Sequence, residues 1–272
     1  MSSILTNQGA MVALQTMKSI NKNMGAVQNQ ISTGLKVGTA KDNSAIWAIG
    51  KTMSSDAEAM KTVQSSISVG QSTVAVARSA TEAVVELLGE MKSLVLQAGE
   101  NVDNDKINEN LVEMRAQIET VLDSASFNGL NLLNQDVNDL EAISGLVRTG
   151  GVLSVETIGV AGENMKTDIA ELTFTLDSPA NIETTLGNIE TQLQAFIDKA
   201  AELGVTEKRM EIQSNFVGSL IDGLRSGVGA MVDADMEEAS ARLQALQVQQ
   251  QLGIQALSIA NQQPQNILSL FR

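Results

Sequence analysis

Apolar residues recur along this chain at steps of three and four, the spacing that places side chains on one face of a helix. From Ala13 they fall at Ala13, Met17, Ile20, Met24, Val27 and Ile31, close to a coiled-coil seam, with Asn, Gln, Ser, Thr and Lys on the other faces. Gly34 and Gly38 break the pattern, and Thr33 to Ser44 reads as a connector. A long helix capped by Asn43 or Ser44 is predicted next. Its seam runs from Ile46, Ile49 and Met53 through Met60, Ile67 and Val74 to Leu88, Met91 and Val95, with Asp56, Gly70 and Thr81 as in-register interruptions. Such a helix would span roughly 80 Å. A third helix, capped by Asp103 or Asn104, uses Ile107, Leu111, Met114, Ile118, Val121 and Ala125. It is expected to stop at Phe127-Asn128-Gly129, where Asn-Gly supplies a left-handed residue.

Between Asn134 and Ser178 the period changes to two. Leu146–Thr149 and Val152–Ile158 read as strands joined at Gly150-Gly151, and Leu172–Leu176 as a further strand. This is the one region expected to be β. Ser178-Pro179 then opens another long helix, with Ser as cap and Pro in the first turn. Its seam runs from Ile182, Leu186 and Ile189 through Phe196, Leu203 and Met210 to Val217, Ile221, Val228 and Met231, across Gly204, Gly223, Gly227 and Gly229.

The last stretch has no proline from Asp233 to Gln262 and carries two apolar stripes. One runs through Val232, Met236, Ala239, Leu243, Leu246, Leu257 and Ala260, and the other through Ala241, Ala245, Val248, Leu252, Ala256 and Ile259. Read as adjacent, they make a face too wide for a helix lying on water. The opening helix has a matching seam, so Met17, Ile20, Met24, Val27 and Ile31 are expected to pack on Leu243, Leu246 and Leu257. The layout is symmetric about the β insert. It predicts a mainly α fold: a long antiparallel helical rod or coiled-coil bundle from both chain halves, with a small β-hairpin insert. Asn21, Gln250 and Gly253 make the terminal seam thin. The termini are therefore expected to order fully only when neighbouring copies cover the second stripe, with Val248, Leu252 and Ile259 as subunit contacts.

Composition narrows the function. The 272 residues include no His, Cys or Tyr, one Trp and two Pro. Most nucleophile–base pairs and most zinc or haem sites therefore have no residues to form them, and neither a catalytic site, a cofactor nor a metal is expected. The absence of Cys fits a cytosolic chain or one exported thiol-free. A net charge of −14 argues against nucleic acid and predicts salt-screened repulsion between copies. Met1–Leu14 lacks the features of a secretory signal, and no apolar run is long enough for membrane insertion. Gly34-x-x-x-Gly38 lacks the lysine placement of a phosphate loop and reads as a structural connector. Asp233/Asp235 and Glu237/Glu238 read as solvated surface. Met11, Met17 and Met24 read as core, and Trp47 as the anchor of the long helix. Gln247, Gln249, Gln250 and Gln251 fit hydrogen bonds between subunits and a plain polar face equally well.

Four strings, in order, resemble bacterial flagellin. Ser32-Thr-Gly-Leu-Lys36 with Ala40-Lys-Asp-Asn-Ser-Ala45 resembles the family's SSGLR…AKDDAA connector. Ser126-Phe-Asn-Gly-Leu-Asn-Leu-Leu133 resembles its FNGxxLL segment, and Val232-Asp-Ala-Asp235 its DAD segment. Ala256 to Arg272, through Pro264-Gln265-Asn266 and Leu270-Phe-Arg272, resembles the closing ANQxPQxxLSLLR. The resemblance covers about 1–135 and 185–272. It implies a structural, non-enzymatic subunit secreted through the flagellar type III export apparatus and polymerised into the extracellular filament of swimming bacteria. It implies as partners other copies of itself, a flagellin chaperone, the filament cap and the hook–filament junction proteins. It assigns 1–40 with 236–272 to an inner terminal coiled-coil layer, and 41–235, with its insert at about 135–178, to the layer around it. A hook–filament junction protein of the same superfamily is the alternative. A metallopeptidase of the kind some flagellins carry in the variable region would lack its His ligands here, and a soluble coiled-coil interaction protein is a further reading. Asn43 stands where the family has a second acid, and Met236 where it has an aromatic. Gly89 and Glu90 stand where members recognised by the vertebrate Toll-like receptor carry Gln-Arg.

Overall fold

A computed structural model describes residues 7–99, 102–134, 139–149 and 152–269, with side chains as far as 262. The order is α1 (Gln8–Thr33), α2 (Ser44–Val95), α3 (Asn104–Ser124), β1 (Ser126–Phe127), β2 (Leu130–Asn131), β3 (Leu140–Thr149), β4 (Val152–Val160), α4 (Met165–Ala170), α5 (Pro179–Val232) and α6 (Met236–Ser269). The fold is mainly α with small antiparallel sheets, as the sequence predicts. Residues 1–56 and 223–272 make one compact unit and residues 57–222 another. No helix among the described residues is long and apolar enough to cross a membrane.

Side chains at the helix starts explain where the helices begin. Asn43 Oδ1 accepts from the N–H groups of Ala45 and Ile46, each at 3.2 Å, so α2 is capped although the family's second acid is missing. Asp103 accepts from the Lys106 N–H and Ser178 Oγ from that of Asn181. Pro179 follows as the first residue of α5, where its missing N–H leaves no helix bond unmade. α1 stops at Gly34, which takes φ 73°, a left-handed conformation open to glycine at little cost.

In residues 57–222, α2 and α5 run antiparallel. Moving up α2, Gln64 lies beside Gly218, Gly70 beside Met210, and Arg78 beside Gly204. Arg78 donates to Glu207 at 2.7 Å and Glu82 at 2.6 Å, and these bonds, Glu207's first, raise its pKa above the ordinary arginine value. Lys92 pairs with Glu190 one end further on. Between the helices lie Ile67, Val74, Leu88, Met91, Ile189, Phe196, Leu203 and Met210, all buried. Thr81 is fully buried in the same seam, and its hydroxyl is satisfied by the Ala77 carbonyl at 2.8 Å. Lys199, 5% exposed, sits between Glu163 at 3.1 Å and Glu202 at 3.2 Å and ties the segment after β4 to α5.

Gly70 in that seam is a packing requirement. A Cβ built there would stand 2.8 Å from Ala142 Cβ and 3.4 Å from Met210 Cε. The methionine end can swing away, but the Ala142 methyl cannot move without β3. We expect Gly70→Ala to lose about 1–2 kcal/mol, overpacking outweighing the helix propensity gained. Gly223→Ala, with nothing within 4 Å, should instead gain about 0.5–1 kcal/mol. Urea unfolding followed by circular dichroism compares the two. Equal shifts would show that β3 does not press on Gly70.

The β region differs from the sequence expectation in three ways. The hairpin is longer than expected, and its Gly150-Gly151 turn lies outside the described residues. A second pair, β1–β2, lies before the expected region: Asn128 at φ 52° and Gly129 at φ 82° form its two-residue turn. Asn-Gly therefore does not stop α3, which ends at Ser124. Leu172–Leu176 alternates in burial as a strand would, yet pairs with no strand among the described residues. Its carbonyls are taken by side chains, Leu172 O by Arg115 at 2.9 Å and Leu176 O by Asn104 at 2.8 Å. A period of two reports alternating faces; it does not report a ladder. The short α4, capped by Asn164, carries too few residues for its own period to be read.

Candidate functional site

α1 and α6 pair antiparallel, from Asn7 opposite Ala260 to Ile31 near Ala239. Asn7 Nδ2 donates to the Ala260 carbonyl at 2.7 Å, Met17 lies against Gly253, and Gln250 donates to Asn21 at 2.8 Å. Ile20, Val27, Ala239 and Leu246 are buried between the helices, and Met24, Ile31 and Leu243 pack against them. Met17 and Leu257 are half-buried at the far end of the same seam. Gly253 lets the helices approach closely there: a Cβ would stand 3.2 Å from Met17 Cγ. Of the glutamines, Gln250 uses its amide within the chain.

The seam is closed at one end by a backbone clasp that apolar periodicity cannot reveal. The Lys36 and Val37 N–H groups donate to the Val232 carbonyl at 2.7 and 3.2 Å, and the Ala234 N–H donates to Gly34 O at 2.9 Å. Leu35 and Asp233 thereby form an antiparallel bridge. The connector after α1 and the short break between α5 and α6 hold each other. Asp235 caps α6, accepting from the N–H groups of Glu237 at 2.9 Å and Glu238 at 3.2 Å. Its carboxylate meets the positive end of the helix dipole, which gives one of the acids read as plain surface a structural task. Further along the connector, Thr39 donates its N–H and hydroxyl to Asp42, each at 2.9 Å, and holds that carboxyl below its ordinary pKa. Trp47 is half-buried and, with Val37, Gly50, Val228 and Val232, lines an apolar cavity of about 190 Å³.

The second stripe of α6 is not beside the first. At ~100° per residue, Val248, Leu252 and Ile259 sit roughly opposite Leu246 and Leu257. They are 56%, 58% and 65% exposed. Three other seam expectations fail. Met11 is 63% exposed because it precedes Met17 by six residues, which turns it to the far side of α1. Ile49 is 51% exposed; Gly50 takes the inward position instead, 2.9 Å from Val232 Cγ2 at a built Cβ. Met236 is exposed because the break at Asp233–Asp235 interrupts the period carried over from Val232. Val12 and Leu14 on α1 and Ile254 on α6 are also exposed, and the sequence reading did not single them out. One feature of the sequence could have found them: they are apolar residues off the seam, in helices whose remaining faces are polar.

Residues 4–138 match the family model described as the bacterial flagellin N-terminal helical region, and residues 186–271 match the C-terminal helical region. The chain belongs to the flagellin family. It is 40% identical to the flagellin FljK of Caulobacter vibrioides over 276 residues, covering 100% of this chain and 99% of that protein. It is also 40% identical to a flagellin of Brucella melitensis over 281 residues, covering 100% of both. In fold it is similar to a putative flagellar hook-associated protein from Vibrio parahaemolyticus, with a TM-score of 0.55 and 16% identity over 71% of this chain and 100% of that one. Full-length identity to flagellins, against a likeness of fold alone to the hook-associated protein, favours flagellin over the junction alternative. The clasp and the α1–α6 pair thus lie within the two segments that the family models match.

Proposed function

We propose that this flagellin polymerises through its terminal helices into an extracellular filament for motility. The observation that carries the reading is the row Val248, Leu252 and Ile259, exposed on the side of α6 that faces away from α1. A row of large apolar side chains at helical spacing, repeated on every copy, gains most when another copy covers it. In this reading 1–40 with 236–272 form the inner layer and 41–235 the layer around it, and the terminal helices order fully on assembly. Passage through a type III export apparatus, escort by a chaperone, and assembly under a cap next to hook–filament junction proteins belong to the same proposal. So does a structural role without catalysis.

The test is assembly of the purified full-length chain. At a net charge of −14 copies repel at low ionic strength, and added salt screens that repulsion over about 10 Å at 0.1 M. We expect electron micrographs to show long filaments that become more abundant as salt rises. A chain that stays monomeric by ultracentrifugation at every salt concentration would overturn the proposal.

A further inference from the structure

We infer that the cleft between the β3–β4 hairpin and α5 receives the acid-flanked face of α3 from a second copy of this chain. This contact rests on the filament reading and adds to it a lateral surface within residues 57–222.

The cleft has a volume of about 270 Å³ and is preformed. A β-bulge lies between Ile143 and Gly145, and Gln213 of α5 donates to the Ser144 carbonyl at 2.8 Å, which fixes the hairpin to the helix beneath the opening. Leu146 packs against the core, and Val147 lines the cleft beside it. Val147 is 44% exposed in the cleft and Phe216 60% exposed beside it, an unusual cost for an aromatic side chain that nothing covers. Arg209 lines the same opening, as does Glu156. Arg209 is the one cation of residues 57–222 for which the described residues provide no partner. In a chain with 32 acidic and 18 basic residues, a cation left beside exposed apolar surface favours an acidic, apolar partner.

The outer face of α3 has that chemistry. Val112 is 47% exposed, and Glu109 and Glu113, an i,i+4 pair on one side of it, are exposed too, while Ile107, Leu111 and Ile118 are buried on the opposite side. Neither glutamate has an ion pair among the described residues. Val112 is the apolar knob for Val147 and Phe216, and Glu113 the counter-charge for Arg209. Donor and acceptor surfaces lie on different parts of the same unit, so the contact propagates from copy to copy without closing on itself.

The test is a charge exchange in the full chain. Arg209→Glu and Glu113→Arg should each raise the critical concentration for assembly about tenfold at low salt, because like charges then meet. The chain carrying both changes should assemble within about threefold of wild type. Single variants that assemble like wild type, or a double variant no better than the worse single one, would overturn the contact. Wild type that never assembles would overturn the filament reading, and the contact with it. Should a variant lose monomer stability by circular dichroism, a second route decides. The chain has no Cys, so Arg209→Cys with Glu113→Cys, oxidised in filaments, should give a ladder of disulfide-linked multimers on non-reducing gels; absence of the ladder overturns the contact.

Discussion

Replacing Val248, Leu252 and Ile259 together with glutamine should raise the critical concentration for filament assembly about a hundredfold and leave the monomer almost as stable as before. The three side chains are 56%, 58% and 65% exposed, so over half of each is free to be covered by another copy. Full burial of a Val, Leu or Ile side chain stabilises by ~1.5–3 kcal/mol. Covering the free half contributes about 1 kcal/mol each, some 3 kcal/mol in all, which corresponds to about two powers of ten in the assembly constant. Glutamine has a helix propensity close to that of leucine and above that of valine or isoleucine. α6 is therefore not weakened, and exposed substitutions of this kind stay within about 0.5 kcal/mol. Sedimentation of polymer against total protein reads the first effect and thermal unfolding of the monomer the second. Removing 236–272 would also abolish assembly, but it strips Leu243, Leu246 and Leu257 from the seam as well and cannot separate the two faces. If the triple variant assembled at the wild-type concentration, the outward row would not be a subunit contact.

The second large effect concerns the other unit. Phe196 is fully buried in the core that α2 and α5 share. Phe196→Ala removes the whole ring and leaves a cavity among Ile, Leu and Met side chains that can collapse only in part. The expected loss is ~3–5 kcal/mol. For a unit of the size of residues 57–222, that amounts to a fall of about 8–15 °C in the unfolding midpoint. Phe216→Ala is the control: it too removes a ring from α5, but at a position 60% exposed, and should move the midpoint by a degree or two. Comparable shifts for the two variants would show that burial is not what separates them.

Most of the helical architecture was legible before any coordinates. A helix shows its buried face as a period that repeats many times in α2 and α5, and caps such as Asn43, Asp103 and Ser178 mark the starts chemically. The seam residues Ile20, Val27 and Leu246 follow from the same repetition. What escaped the period lay where the chain breaks or runs short. Met236 looked continuous with Val232 because three intervening residues leave the spacing intact, yet those residues form the clasp and restart the helix. Leu172–Leu176 alternates like a strand while side chains take the bonds that a neighbouring strand would have made.

The long helices, their inward faces, the hairpin and the family are all written in the residues themselves, because each depends on a local repeat or on a short string. That Gly34–Val37 and Val232–Ala234 hold each other emerges from the fold alone, since backbone hydrogen bonds leave no trace in residue type. The same is true of Gly70, which must stay bare beneath Ala142, and of Arg209, which has no partner among the described residues. Those outcomes depend on which distant segment arrives opposite a residue, and no local period records that.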